Sequence, residues 1–252
     1  MIGSLDLTLF DALPSGSTSA DRTALLAMQA AVRKSDRGYV YLEIGSHMGG
    51  TLQPHLLDPR CRKIYSIDKR LSDAQDVRGT IQYTDNTTVR MLEGLRKLCP
   101  DQMSKLVCFD GDAAQIDRNL IDDSPDICFV DAQHTDAAVV SDFEFCRAVA
   151  VDEPLVAFHD ADLVPGGLRR IRRSLRQQGT TFSTALPGGS VYAVCIGSGR
   201  VLEEVRRQTA PKNEVTFFAI GRLLRAGRRL APSSCAPALR KLVSRFKRFL
   251  RE

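Results

Sequence analysis

Acidic and histidine side chains cluster in two short segments, each directly after a run of apolar residues. Asp131 and His134 lie in the segment DAQHTD, which follows ICFV, and His159, Asp160 and Asp162 lie in HDAD, which follows LVAF. Carboxylate oxygens are the ligands that Mg²⁺ prefers, and a bound divalent ion lowers the pKa of a coordinated hydroxyl group. A neutral imidazole accepts a proton near physiological pH. The two segments therefore predict a site that activates a substrate hydroxyl group.

A glycine-containing turn follows another apolar run earlier in the chain. The segment EIGSHMGGT spans residues 43–51, with Glu43 two residues before Gly45. Glycine lets a ligand approach the backbone closely, and ligands of α/β proteins bind at the carboxyl ends of strands. The spacing differs from the dinucleotide pattern GxGxxG. An acidic side chain here would repel a pyrophosphate, so it favours a cationic ligand such as the ammonium group of an amino acid.

Short apolar runs alternate with helix-like segments through most of the chain. The predicted strands are Tyr39–Ile44, Lys63–Ile67, Leu106–Phe109, Ile127–Val130 and Leu155–Phe158. Their continuous apolar character is typical of parallel strands buried on both faces. The predicted helices are Ala20–Lys34, Thr87–Leu98, Ala137–Val149 and Gly167–Gln178, and two final strands follow at Thr181–Ala185 and Ser190–Ile196. This alternation predicts a doubly wound α/β fold with antiparallel strands at one end of its sheet.

The pattern ExGxxxGGT after the first predicted strand resembles the first motif of class I S-adenosylmethionine-dependent methyltransferases. As in that family, an acid closes the second strand, IYSID, and the segment FDGDA follows the third. The resemblance implies a Rossmann-like methyltransferase fold with a mostly parallel, seven-stranded sheet, and S-adenosylmethionine as cofactor. It implies that Glu43, Gly45, Ser46 and Gly49 hold the methionine part with Thr51 in the same loop, Asp68 the ribose, and Asp112 and Ala113 the adenine.

The run FVDAQHTDAAVVSDFEF, with the later HD, resembles a methyltransferase family that shows DGxHxYxxxxxDxxxx…HD and is similar to methyltransferase domain 24. It is also similar, more remotely, to catechol-type O-methyltransferases, in which His134 takes the place of a lysine base. The resemblance implies that Asp131 and His134 are catalytic, and that Mg²⁺ is held by Asp131, Asp160, His159 and Asp162. Three departures are Ala132 for a glycine, Asp136 for an aromatic residue and Ala161 for an amide ligand, which Asp162 or His159 would replace.

Several of these side chains also suit purely structural roles. His134 can cap a helix or face solvent, and His159, which follows an apolar strand, can be a core histidine bonded to the backbone. Asp142 and Glu144 lie on the following predicted helix, where we interpret them as surface charges. His47 is interpreted as a spacer in the glycine turn.

The net charge of +5 is unevenly distributed. Residues 221–252 contain ten Lys and Arg and one Glu, so this segment carries +9 and residues 1–220 carry −4. Its Leu, Val and Phe residues at 239, 242, 243, 246 and 249 share one face of a helix. We therefore predict a methyltransferase domain over 1–220 and a basic amphipathic tail over 221–252. The tail suits an anionic membrane surface, and docking on the domain, docking on a second subunit and nucleic-acid binding are the alternatives.

Composition also indicates a compartment. The seven cysteines form no CxxC pair, and several lie in apolar runs, which is typical of reduced thiols. The first residues lack the basic and apolar pattern of a secretory signal, and no run of about 18 apolar residues predicts a spanning helix. We expect a cytoplasmic protein that associates peripherally with the inner face of the membrane through its tail.

These features predict an O-methyltransferase that uses S-adenosylmethionine and Mg²⁺ on a hydroxyl group of a sugar, a glycan or a natural product. The acceptor class follows from the family resemblance, and the tail suits work on membrane-linked intermediates. Two alternatives stay open, an RNA methyltransferase whose tail grips phosphate and a donor-binding scaffold protein that has lost catalysis. A homo-oligomer is compatible with each of them.

Overall fold

A seven-stranded sheet forms the centre of the protein, which a computed structural model describes over residues 2–76 and 79–221. Within these residues the strands are β1 (Tyr39–Ile44), β2 (Cys61–Asp68), β3 (Asp73–Asp76), β4 (Gly79–Gln82), β5 (Leu106–Asp110), β6 (Ile127–Val130), β7 (Leu155–Phe158), β8 (Phe182–Gly188) and β9 (Val191–Ile196). The order in the sheet is β5-β2-β1-β6-β7-β9-β8, and β3 pairs with β4 as a separate hairpin. Neighbours from β5 to β7 are parallel, and β9 is antiparallel to both of its neighbours. The predicted mostly parallel, seven-stranded sheet is confirmed.

Helices cover both faces of this sheet. They are α1 (Ser19–Val32), α2 (Gln53–Leu57), α3 (Thr88–Leu98), α4 (Asp136–Val149), α5 (Pro165–Gln177) and α6 (Arg200–Gln208). One core contains apolar side chains of α1, α2, α3 and α6, and the other contains those of α4 and α5. Successive strand residues point to opposite faces, so Tyr41 of β1 lies in the first core and Leu42 in the second. Burial on both faces explains the continuous apolar runs of the central strands.

Local sequence signals set where the two helices nearest the candidate site begin. Thr18 and Asp21 form a reciprocal capping box at the start of α1, and the Thr135 hydroxyl accepts a hydrogen bond from the N–H of Ala138 at the start of α4. The cap at Thr135 ends the loop that carries Asp131 and His134. The loop is therefore fixed at one end by β6 and at the other by a helix cap.

The carboxyl ends of β1, β6 and β7 are in register at one edge of the sheet. Ile44 pairs with Val130 and Val130 with Phe158, so the residues that follow these strands are neighbours. The N–H of Asp131 donates to the Ile44 carbonyl at 2.8 Å. Gly45 has φ +94°, and a Cβ there would lie 2.4 Å from the Asp131 carbonyl oxygen. Only glycine lets the backbones of the two loops pass this closely.

Two parts of the sequence prediction differ from the structure. The β3–β4 hairpin was missed, because its sequence DAQD…GTIQ lacks the apolar run by which the other strands were found. Helices α2 and α6 were also missed. The predicted tail lies, apart from Gly221, outside the described residues. Among the helices that the structure describes, none has the length and apolar character needed to cross a membrane.

Replacing Gly45 by alanine should destabilise the protein much more than the same change at Gly179. Both glycines have positive φ, but a Cβ at Gly179 meets nothing within 4 Å. We expect Gly179→Ala to lower the free energy of unfolding by about 1–2 kcal/mol, the cost of the left-handed conformation. Gly45→Ala adds a backbone clash and should cost about 3 kcal/mol or more. Urea denaturation measures both, and equal losses would show that the Gly45–Asp131 contact relaxes freely.

Candidate active site

A cavity of about 690 Å³ opens at the carboxyl edge of the parallel strands. Residues that directly follow β1, β6 and β7 line it, together with the end of β2, the turn after β5, part of α4 and the β3–β4 hairpin. A cavity of this size suits a ligand of drug or cofactor dimensions. Its position agrees with the rule that open α/β sheets bind ligands beyond the carboxyl ends of their strands.

Four of the residues predicted to bind the cofactor line this cavity, and they are Gly45, Asp68, Asp112 and Ala113. The carboxylate of Asp68 accepts hydrogen bonds from the backbone N–H groups of His47 and Arg70, both at 2.7 Å. The Asp112 carboxylate caps a short 3₁₀ turn that begins at Ala113, and it lies 2.7 Å from Lys69 Nζ. Both carboxylates are therefore held in place by groups of the chain itself.

The other four predicted cofactor residues, Glu43, Ser46, Gly49 and Thr51, are not among the residues that line the cavity. Glu43 is buried beneath the loop, where it accepts hydrogen bonds from the Tyr41 hydroxyl at 2.6 Å and from the Thr51 hydroxyl. The Ser46 and Ser66 hydroxyl oxygens lie 2.6 Å apart. A Cβ at Gly49 would point toward side chains of α3. In this structure these residues shape the loop from below.

Burial dominates the ionisation of Glu43. It raises the pKa of the carboxyl to about 8, although the hydrogen bonds from Thr51 and Tyr41 act in the opposite direction. A carboxyl group with this pKa is mostly neutral at pH 7. At pH 7 the folded protein therefore keeps a proton on Glu43 that the unfolded chain releases.

Four of the predicted catalytic and metal-binding side chains meet at the ends of β6 and β7. Asp131 Oδ1 lies 2.9 Å from His159 Nδ1 and 3.3 Å from His134 Nε2. Asp160 Oδ2 lies 3.7 Å from the same His134 nitrogen. The backbone of Asp160 has φ +46°, a strained conformation for a non-glycine residue that recurs at functional sites. Asp162, the fifth predicted residue, is not among those that line the cavity.

Charges within this cluster support one another. Burial opposes a charge on Asp131, but His159 and His134 outweigh it and lower the pKa of Asp131 to about 2. Burial likewise opposes a charge on His159, and Asp131 and Asp21 outweigh it and raise the pKa of His159 well above its ordinary value. The pair is therefore an aspartate next to a histidinium at neutral pH, with His134 beside it in the cavity.

Asp21 belongs to this cluster although the sequence analysis did not select it. Its carboxylate lies 3.5 Å from His159 Nε2, on the side of the ring opposite Asp131. It also accepts hydrogen bonds from the Thr18 N–H and hydroxyl and from the Ser190 N–H, at 2.6–2.8 Å. The TSAD pattern at residues 18–21 indicates a helix start, but no local signal relates α1 to a histidine so distant in the chain.

Asp142 corrects a prediction. It was interpreted as a surface charge, but it is buried and lines the cavity, whereas Glu144 is exposed. Asp142 shares the inward face of α4 with Val139 and Cys146, three and four residues away. Burial is the main cause that raises its pKa, to about 7. The helical spacing from Val139 was the signal that could have placed it inside.

The remaining two histidines have different surroundings. His47 lines the cavity with its ring centroid 5.2 Å from that of Tyr83, so it is more than a spacer. His55 is buried and stacks on Tyr41 at 3.6 Å, and burial lowers its pKa to about 3. His55 does not line the cavity, so its role is in packing.

Solved structures of similar architecture include several methyltransferases. The chain is similar to an O-methyltransferase from Bacillus cereus in complex with SAH, with 12% identity and a TM-score of 0.50 over 77% of this chain and 89% of that one. It is also similar to CalS11, a TDP-rhamnose 3′-O-methyltransferase of calicheamicin biosynthesis, with 18% identity and a TM-score of 0.50 over 71% and 80%. Neither a protein-family model nor a curated protein sequence matches the chain. The likeness shows that the chain has the Rossmann-like methyltransferase fold.

The buried carboxyl of Glu43 should make stability depend on pH. Between the unfolded pKa of 4.5 and the folded pKa of about 8, the folded protein holds one more proton at Glu43 than the unfolded chain. The free energy of unfolding therefore falls as pH rises, with a contribution of about 1.4 kcal/mol per pH unit. Glu43→Gln should remove this contribution in denaturation series at pH 5–8.

The exposed Glu144 provides the matched control for this series. Glu144→Gln should keep the slope of the wild-type protein, because the side chain is solvated in both states. An unchanged slope in Glu43→Gln would mean that Glu43 is ionised in the folded protein.

Proposed function

We propose that this protein is an S-adenosylmethionine-dependent O-methyltransferase that methylates a hydroxyl group of a small sugar, glycan or natural-product acceptor. The observation that carries the proposal is one cavity that contains two kinds of group. Fixed carboxylates at the ends of β2 and β5 lie at one side, and the aspartate–histidine cluster lies at the ends of β6 and β7. The first kind suits a nucleoside with hydroxyl and amine groups, and the second suits deprotonation of an acceptor.

The donor is assigned to the cavity residues that match the methyltransferase motifs. Asp68, with both oxygens held by backbone N–H groups, accepts the two ribose hydroxyls. The turn of Asp112 and Ala113 takes the adenine, and the backbone at Gly45 takes the methionine part. Glu43, Ser46, Gly49 and Thr51 support that loop from beneath the cavity instead of contacting the donor.

His134 is the proposed base and Asp131 its partner. The acceptor oxygen attacks the methyl carbon in line with the sulfonium, so an oxygen–carbon bond forms, the sulfur–carbon bond breaks and its electron pair stays on sulfur. The hydroxyl proton passes to His134, and the Asp131 carboxylate at 3.3 Å stabilises the resulting imidazolium. Holding the two reactants in line contributes about 7–11 kcal/mol to catalysis of this kind.

Magnesium fits this cluster poorly. The side chains of Asp131, His134 and His159 offer ligand atoms that all lie within 4.8 Å of one another, but two of the three are imidazole nitrogens. Mg²⁺ prefers an oxygen shell, and imidazole suits transition metals better. The positive charge beside Asp131 comes from His159 instead. The proposed mechanism therefore contains no step through Mg²⁺, which sequence reasoning placed at Asp131, Asp160, His159 and Asp162.

The acceptor class is supported by the motif resemblance and by the similar fold of CalS11, whose name states a sugar hydroxyl as its substrate. Incubating the protein with methyl-labelled donor and a panel of sugars, glycans and phenols, with EDTA present, tests both acceptor and metal. We expect label on a sugar or natural-product hydroxyl. Label found only on RNA or on a simple phenol would contradict the proposed acceptor class. Activity that appears only when Mg²⁺ is added would contradict the metal-free mechanism.

Removing the proposed base should slow turnover while donor binding is kept. We expect His134→Ala to lower kcat about 100-fold or more, the usual contribution of a general base. The Kd for S-adenosylhomocysteine should not change, because His134 is assigned to the acceptor side of the cavity. His55→Gln is the control, since His55 lies outside the cavity and its loss should leave kcat of the folded protein unchanged. An unchanged kcat in His134→Ala would exclude His134 as the base.

A further inference from the structure

The mechanism gives no role to Asp142, a buried acid in the cavity. Asp142 is 6% exposed and lines the cavity from α4, whose residues contact the turn Ala113–Gln115. The charged groups that act on its pKa are Asp112 and Lys69. The carboxyl therefore lies on the helix that contacts the turn assigned to the adenine.

The chain supplies little to compensate this carboxyl. Within residues 2–76 and 79–221, no N–H or O–H group donates a hydrogen bond to it. Lys69 is the cation that acts on its pKa, but the ammonium group of Lys69 lies 2.7 Å from Asp112. Burial and the charge of Asp112 together raise the pKa of Asp142 to about 7. A buried polar group without a partner costs free energy that a ligand donor would recover.

A purine amine is a donor of the required kind. The exocyclic 6-amino group of adenine carries two N–H groups and no acceptor, so it complements a carboxylate, which only accepts. A 6-oxo purine presents a carbonyl oxygen at the same position and would face the carboxylate with another acceptor. A site built around a hydrogen bond discriminates strongly against an analogue that lacks it.

We propose that Asp142 accepts a hydrogen bond from the 6-amino group of the donor's adenine and so selects an adenosyl donor over its 6-oxo counterpart. This inference rests on the proposed function, because it uses the donor position given there. It gives Asp142 a role in donor binding and donor specificity, and no role in methyl transfer itself.

Calorimetric titration with S-adenosylhomocysteine and with S-inosylhomocysteine tests the proposal. At pH 8, where Asp142 is ionised, the wild-type protein should prefer the 6-amino ligand. Asp142→Leu should bind that ligand about 10- to 100-fold more weakly and lose the preference. Asp142→Asn should keep part of the affinity but lose the preference, because a carboxamide can either accept or donate. Glu144→Gln, exposed on the same helix, should retain the wild-type ratio of affinities.

The outcomes separate this inference from the proposed function. If the wild-type protein binds neither ligand, the proposed function and the inference fail together. If it binds the 6-amino ligand and Asp142→Leu keeps the wild-type ratio, the inference alone is wrong. Thermal unfolding without ligand controls for folding, and Asp142→Leu should melt no lower than wild type because it removes an uncompensated buried carboxyl.

Discussion

The close passage of two loops at Gly45 is the contact on which the site depends. The loop after β1 turns over the carbonyl of Asp131 with no space for a side chain, and this joins the two halves of the cavity. On one side the β1 loop carries the backbone that orients Asp68 through the N–H of His47. On the other side the loop after β6 carries Asp131 and His134. A wider separation would place Asp68 and the Asp131–His134 pair in different sites.

A buried histidinium then fixes the acidic half of the site. His159 lies between Asp131 at 2.9 Å and Asp21 at 3.5 Å, so each ring nitrogen faces a carboxylate. Asp21 also accepts hydrogen bonds from Thr18 and Ser190. Because an ionised carboxylate has no donor, it can only accept from the ring as well. Desolvation offsets much of the attraction between buried charges. This arrangement therefore contributes more to orienting the three side chains than to the stability of the protein. The arrangement connects α1 and the β8–β9 turn to the loop that follows β6.

The sequence predicted those parts of the molecule whose signals are local. Strands β1, β6 and β7 were predicted with the bounds that the structure shows, because burial on both faces leaves an uninterrupted apolar run. The convergence of Asp131, His134, His159 and Asp160 followed from parallel strands ending at one edge. Asp21 was not predictable, because its contact with His159 joins residues far apart in the chain. The family resemblance implies that Glu43 faces the ligand. In the structure Tyr41 and Thr51 hold it below the loop, and no local sequence signal indicates this.

The charged residues that line the cavity indicate which kind of ligand it would favour. Its lining contains more acids than bases. The acids are Asp68, Asp73, Asp112, Asp131, Asp142 and Asp160, and the cations are Lys69, which pairs with Asp112, and the protonated His159, which pairs with Asp131. Such a lining favours a cationic ligand and concentrates it near the strand ends. S-adenosylmethionine carries a sulfonium and an ammonium group, whereas a polyanionic acceptor such as RNA would meet like charge at this opening. Burial is the main cause of the raised pKa of Asp142 in the free protein, and the charge of Asp112 adds to it. The proposed hydrogen bond from a neutral amine would satisfy this carboxyl without adding charge to the cavity.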